Sequence, residues 1–564
     1  MHSGILRFRH FAILFFFLAV LLFLITRLIF IQIIDFPFYS AAAKDQHTVS
    51  IPLEPKRGAI LDRNMRVLAV NLNVDSIFAN PREVIDKVRA SGSIASCLKL
   101  KEELVLERLN RDKGFVWLKR KVTPEESSAI KALKLKGVDV IKESKRFYPN
   151  GRLACHVLGT ADIDNNGMEG LELLHDRYLK GAQGWLVSTQ DGKRRKVASY
   201  QREYIPPKNG ANLVLTLDEV IQHIAEQELE AAYNKHNARG ASIIVMDPKT
   251  GDILAMASLP NYDLNNFKNR SVDSLKNRAV CDFFEPGSVF KIVTASALLE
   301  EGAVRLDDKF FCENGSYKVG RRTIHDHRPH GVLTFQEVIE KSSNIGTIKA
   351  ASRIGADKMY KYLTRFGFRT KTSIDLPGEV LGMNRDISKW TRTSMLAVPM
   401  GQEVTATTIQ LVRAISAIAN GGLLVRPKTI KEIVDSRGEV IKSFPTLPPQ
   451  RAISQVTAAK MKAVLAGAVC SGTGAKAKVD GFTAGGKTGT AQKVESAGIY
   501  SHNKFIASFI GFAPLEDPRL AIAVCVDEPH PVYYGGDVAA PVFSRVASAA
   551  LKYMNSKEPA LELR

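Results

Sequence analysis

Hydrophobic and polar positions are unevenly distributed along the chain. Phe11–Ile25 is an unbroken run of fifteen apolar residues. After Thr26 and Arg27 the apolar character resumes from Leu28 to Ile34, interrupted only by Gln32. As a helix, Phe11–Ile34 spans about 36 Å, enough to cross a bilayer with some tilt. Arg27 lies towards one end of the run, where its long side chain can snorkel to the interface. Arg7, Arg9 and His10 precede the run, so the positive-inside rule places residues 1–10 in the cytoplasm and the body outside it. Ala41-Ala42-Ala43 resembles a signal-peptide processing site. Secretory apolar cores span only about 7–15 residues, however, and this one is longer, which favours an uncleaved single-pass anchor.

Beyond the anchor the pattern changes to short alternating runs. Val67–Val70, Ser76–Asn80 and Val138–Ile141 read as strands, and Glu102–Arg111 as a charged helix. Pro206-Pro207-Lys208-Asn209-Gly210 is a strong turn and marks a boundary. Leu213–Leu217 reads as a strand, Thr216 and Glu219 as a capping box, and Val220, Ile221, Ile224, Leu229 and Tyr233 as the apolar face of a helix. Two hairpins are expected, Ser242–Met246 with Ile253–Ala257 and Phe505–Phe512 with Leu520–Val526, followed by a helix over Pro541–Tyr553. Strands at both ends with helices between them predict a mixed α/β (α+β) domain whose sheet is closed by the two ends of the segment.

Composition narrows the class. The chain has 564 residues, 45% hydrophobic and 24% charged, which excludes wholesale disorder and leaves room for two or three cores. The net charge of +20 raises a nucleic-acid reading. The cations are spread along the chain in short clusters such as Lys193–Lys196, and no zinc-finger, basic-zipper or RNA-binding pattern accompanies them, so a surface tolerant of anionic lipid or wall polymer is the better account. Six scattered cysteines form no C-x-x-C pair; they do not define a disulfide scaffold, although one or two bridges are compatible with the compartment.

Three short motifs carry candidate chemistry. Glu285-Pro286-Gly287-Ser288-Val289-Phe290-Lys291 opens an apolar helix, which puts Ser288 and Lys291 on one face, one turn apart. A serine hydroxyl needs a base, and a lysine serves as one only when burial or a nearby cation destabilises its ammonium; the apolar neighbours of Lys291 supply the burial. Lys341-Ser342-Ser343-Asn344 follows an expected helix over Thr334–Glu340, and Gly485-Gly486-Lys487-Thr488-Gly489-Thr490 comes much later. Gly481–Thr488 also fits the phosphate-loop pattern, but that loop needs a buried strand before it and a helix after it. Here the preceding residues are small and polar, no helical face follows, and the outer compartment holds no ATP.

The ordered set S-x-x-K, S-x-N, K-T-G is the serine-active penicillin-recognising signature, and the chain resembles the class B penicillin-binding proteins, bitopic peptidoglycan D,D-transpeptidases. Arg57–Asn64, Arg146–Pro149, His156–Gly159 and Gly167–Glu172 look like the motifs of that family's pedestal. The neighbourhoods Asn277–Val280, Phe284–Ser288 and Lys341–Asn344 are most similar to its division-type branch. Two departures are mild: Val289 stands where Thr is frequent, and Met65 where Gly is. The resemblance implies a penicillin-recognising transpeptidase fold with an antiparallel core sheet, divided as tail 1–10, anchor 11–34, pedestal 35–210, transpeptidase 211–555 and tail 556–564. It implies Ser288 as nucleophile, Lys291 as base, Ser342 as proton relay, Asn344 as holder of Lys291 and substrate, and Lys487 as the ammonium that keeps the site positive. Thr488 and Thr490, flanking Gly489, would bind the substrate carboxylate, and the Ser288 and Thr490 N–H groups would form an oxyanion hole worth about 3 kcal/mol per donor.

The implied ligands are stem peptides and β-lactams, and the implied partners a polytopic glycan polymerase and divisome proteins, with no nucleic acid, metal or other cofactor. His325, Asp326, His327 and His330 have spacings that invite zinc, but a polar histidine-rich loop accounts for them and no distant ligand set stands out. The rival functions are an elongation-type transpeptidase, a D,D-carboxypeptidase or β-lactamase-like serine hydrolase, and a non-catalytic β-lactam-binding scaffold. The length between anchor and penicillin-binding part leaves no room for a glycosyltransferase.

Overall fold

The computed structural model describes residues 2–40, 48–189, 203–266, 270–320, 322–391, 393–495 and 499–557. These fall into two compact units, Met1–Lys56 with Gly181–Asn209, and Arg57–Lys180 with Gly210–Arg564.

In the smaller unit the apolar run forms a helix over His2–Ile29 that loosens into a π-helical turn at Phe30–Ile34. It is the one helix among the described residues long and apolar enough to cross a membrane, which suggests a single-pass anchor. The Thr26 hydroxyl donates to the Leu22 carbonyl at 2.7 Å, so this polar residue satisfies itself within the helix. A three-stranded antiparallel sheet, Thr48–Leu53, Gly184–Thr189 and Glu203–Ile205, completes the unit.

The larger unit holds two sheets of consequence. In the first, a mixed sheet, Ile60–Leu61 runs parallel to Asn212–Leu215 and antiparallel to Val67–Ala79. The runs expected as separate strands at Val67–Val70 and Ser76–Asn80 are one strand of 13 residues. The polar interruption Asn71–Asp75 is weak in strand propensity, but it pairs residue by residue with Val138–Phe147, from Val70 opposite Phe147 to Ala79 opposite Val138. The expected capping box is also corrected. The cap of the helix Glu219–Lys235 is Asp218, whose carboxylate accepts from Val220 N at 3.1 Å. Thr216 instead donates its hydroxyl to the Ile253 carbonyl at 2.8 Å, because its backbone is still at the end of the strand.

The second sheet has five antiparallel strands in the order Ile253–Leu259, Gly240–Met246, Leu520–Asp527, Tyr500–Ala513, Gly485–Val494. Both expected hairpins form, and they meet at its centre, with Met246 opposite Ala521 and Gly240 opposite Asp527. Helices Glu219–Lys235 and Ala540–Lys557 cover one face with Ile243, Val245, Val524 and Phe543 in a shared core. Thr408–Ala419, buried at every position, covers the other with Ile244, Met246 and Ala523. Burial on both faces explains why these strands read as continuous apolar runs rather than alternating ones. Gly485–Val494, which carries the K-T-G motif, is left at the edge.

The pedestal-like motifs converge on one buried carboxylate. Glu172 takes Arg57 Nε on Oε2 at 2.7 Å and Arg146 Nε on Oε1 at 2.6 Å, and the Tyr148 hydroxyl donates to Oε1 at 3.3 Å. The Glu172 side chain is 0% exposed and those of Arg57 and Arg146 are 1% and 3%. Gly159, Gly167 and Gly170 allow the close backbone approach around it; a Cβ on Gly167 would lie 1.9 Å from the Glu172 carbonyl oxygen. Met65, where the resemblance leads one to expect Gly, adopts φ 65°, the left-handed conformation that glycine takes without steric cost. Removing one partner of a buried ionic group strands the others without solvation. Glu172→Ala should therefore lower stability by about 3–5 kcal/mol, read as a large drop in the urea midpoint.

Candidate active site

Gly287, at φ 56°, prevents a regular helix start, and the chain enters through a 3-10 turn, Gly287–Phe290, that continues as the α-helix Lys291–Glu300. With three residues per turn, positions i and i+3 eclipse, so Ser288 and Lys291 stack more directly than the expected α-helical start would place them. Ser288 is partly exposed, while Val289 and Phe290 anchor the turn in the core.

Lys291 is 0% exposed. Its Nζ donates to the Ser342 carbonyl at 2.7 Å, the Ser342 hydroxyl at 3.2 Å and Asn344 Oδ1 at 2.8 Å. Burial pushes the amine down to about 7, against a smaller upward pull from the negative charge of Asp326. Ser342 holds φ 60°, a region that costs a non-glycine residue about 1 kcal/mol or more; it presents carbonyl and hydroxyl to the same amine. Ser343 caps the helix Asn344–Ala351 through Gly346 N. Asn344 Nδ2 donates to the His325 carbonyl at 2.9 Å, which orients its oxygen towards Lys291.

The K-T-G strand lies against the nucleophile turn. A Cβ on Gly489 would fall 2.4 Å from Ser508 Oγ and 2.8 Å from Val289 Cγ1, so only glycine lets turn and strand meet. As an edge strand, it leaves alternate N–H and C=O groups unpaired by the sheet. The Thr488 hydroxyl is 2.7 Å from that of Thr473, and the Thr490 hydroxyl accepts from Gly535 N at 3.0 Å, which leaves its hydrogen free to donate. Lys487 is also 0% exposed, and its Nζ donates to the Thr488 carbonyl at 3.3 Å. The sequence reading has Lys487 holding a standing charge against Lys291. In the structure burial drives the Lys487 ammonium well below its ordinary range, and the charge on Lys291 pushes it further. The two amines thus compete for protons.

Several residues were missed by the motif reading. Glu285, adjacent to the motif, accepts on Oε1 from Glu403 N at 2.9 Å and the Tyr500 hydroxyl at 3.2 Å; Oε2 is buried without a hydrogen-bond partner and burial raises the carboxyl. Gly287 N donates to the Gly401 carbonyl at 3.0 Å, and a Cβ on Gly401 would collide with the Gly287 oxygen at 2.1 Å. Asp326 invites a metal reading by spacing alone. Its Oδ1 instead accepts from Asn344 N at 2.6 Å and Ile345 N at 3.0 Å. The His327 ring packs edge-on against Tyr534, and no group of three or more potential ligands is arranged for a metal among the described residues. All six cysteines are free thiols. A cavity of ≈ 900 Å³ flanks the site beside Glu285, Glu403 and Gln492.

A family model described as the penicillin binding protein transpeptidase domain matches residues 241–548, and one described as the penicillin-binding protein dimerisation domain matches 52–215. The chain is 38% identical to stage V sporulation protein D of Bacillus subtilis, covering 96% of this chain and 85% of that protein. It is 32% identical to the peptidoglycan D,D-transpeptidase FtsI of Escherichia coli, covering 96% and 91%. Among solved structures, penicillin binding protein 3 of Mycobacterium tuberculosis complexed with aztreonam superposes with a TM-score of 0.70 at 30% identity, over 90% of this chain and 97% of that one.

The neutral form of Lys291 is the one that accepts a proton, and its share grows as pH rises through about 7. Reaction of Ser288 with a fluorescent penicillin should therefore accelerate about tenfold per pH unit below that value and level off above it. A flat rate from about pH 5 to 8 would remove Lys291 as the base.

Proposed function

The chain belongs to the penicillin-binding protein transpeptidase family, in its class B branch, and on that premise we propose that it cross-links peptidoglycan as a serine D,D-transpeptidase. The observation that carries this reading is the wholly buried Lys291 amine, held by Ser342 and Asn344 and one 3-10 turn from Ser288. Neutral Lys291 takes the Ser288 proton as Oγ attacks the penultimate D-Ala carbonyl carbon of a stem peptide. The Ser288 and Thr490 N–H groups hold the oxyanion. Collapse breaks the C–N bond, and the proton on Lys291 passes through Ser342 Oγ, 3.2 Å away, to the departing amine of the terminal D-Ala. The amine of a second stem peptide then attacks the ester, returns a proton by the same route and frees Ser288. Thr488 and Thr490 bind the substrate carboxylate through their hydroxyls. β-Lactams acylate the same serine.

The functional division follows the sequence reading: a pedestal over 35–210 and a transpeptidase part over 211–555. Arg7, Arg9 and His10 before the apolar helix support a cytoplasmic N-terminus and an extracytoplasmic catalytic part. A septal role, with a polytopic glycan polymerase and divisome proteins as partners, rests on the resemblance of the motif neighbourhoods to the division-type branch. The likeness to a sporulation protein supports a second setting for the same chemistry.

Full-length protein should bind fluorescent penicillin covalently and form cross-linked product from stem-peptide substrates, and Ser288→Ala should lose both completely while melting like the wild type. Rapid penicillin turnover without cross-links would make it a hydrolase, and growth supported by Ser288→Ala would make it a scaffold. Midcell fluorescence of a tagged chain supports the septal role; side-wall or spore-restricted signal defeats it.

A further inference from the structure

Asp326 lies at the end of the hairpin formed by Ser316–Val319 and Arg322–His325, between the first and second motifs and part of neither. Its carboxylate nevertheless converges on the second of them. Oδ1 accepts from Asn344 N at 2.6 Å and Ile345 N at 3.0 Å, and Oδ2 accepts from the Ser343 hydroxyl at 2.6 Å. Asp326 N is itself tied to the Gly315 carbonyl at 3.1 Å, and the preceding carbonyl, that of His325, receives Asn344 Nδ2. One short segment thus grips the turn Ser343–Ile345 through four hydrogen bonds, and that turn presents Ser342 and Asn344 to Lys291.

We propose that Asp326 is a positioning residue for the catalytic base: its carboxylate clamps the Ser343–Ile345 turn and supplies the negative charge that faces buried Lys291. The inference deepens, and rests on, the transpeptidase reading above. Two amines are enclosed here, Lys291 from the nucleophile helix and Lys487 from the edge strand, each 0% exposed. The other groups around Lys291, Ser342 and Asn344, are neutral. The imidazoles of His325 and His327 flank Asp326 in the chain and are both exposed. Among the described residues, Asp326 is the charge that acts on Lys291 in the direction opposite to burial. A buried amine without it loses its proton more readily but has nothing to offset the charge it acquires when it takes the proton of the nucleophile.

The two tasks separate in two variants. Asp326→Asn keeps an oxygen for the two N–H groups and an amide for Ser343 Oγ, and removes only the charge. Asp326→Ala removes clamp and charge together. Second-order acylation of the full-length chain by fluorescent penicillin, followed across about pH 5–9, should show the acid limb of Asp326→Asn moved to lower pH by roughly half a unit or more, with its upper plateau within about threefold of wild type. Asp326→Ala should lose about tenfold or more on the plateau at every pH. An acid limb for Asp326→Asn that coincides with wild type overturns the proposal, whether or not Asp326→Ala folds. So does a plateau of folded Asp326→Ala equal to that of wild type. A wild-type chain that never acylates, or a Lys291→Ala variant that acylates normally, defeats the transpeptidase reading itself and this inference with it.

Discussion

Two amines are excluded from water at one junction, and most of the architecture around the site serves to keep them there. A lysine ammonium is costly to bury and responds by releasing its proton, so Lys291 becomes a base near neutral pH only because three separate segments close over it. The nucleophile helix supplies the amine. The Ser342–Asn344 turn supplies its hydrogen-bond acceptors, and the K-T-G edge strand supplies the second amine. None of the three could create that environment by itself.

What holds the segments together is backbone contact more than side-chain bulk. Gly401, Gly489 and Gly535 sit where strand, turn and loop approach too closely for a Cβ. The strand must also be an edge for its unpaired N–H and C=O groups to face the cleft, and burying both faces of the sheet beneath helices fixes it there without closing off that edge. Ser342, in its left-handed conformation, is the strained element of the site. It persists because Asp326, Ser343 and the helix Asn344–Ala351 determine its neighbours from both sides.

The same logic recurs away from the catalytic centre. Arg57, Arg146 and Glu172 come from segments far apart in the chain, and their charges are tolerable in the interior only as a set. The sheet that contains Ile60–Leu61 continues through Asn212–Leu215 into Ile430–Val434. Residues 57–180, read from the sequence as part of a pedestal, therefore share one compact unit with the residues that follow 210.

Much was legible from residues alone because it depends on local order. The apolar run needs only length to read as a spanning helix, the two hairpins need only apolar runs around turn residues, and the motif serine and lysines declare themselves by type and spacing. Strand continuity across Asn71–Asp75 and the parts played by Asp326, Glu285 and Gly401 were not legible. Each depends on a partner outside its own segment: a neighbouring strand that overrides weak propensity, or a carboxylate whose meaning lies in the N–H groups it meets. Residue order sets which chemical groups the chain carries and how they are spaced along it. Which of them lose water, and which charges face one another, is settled by folding, because desolvation and Coulomb interaction depend on distance through space.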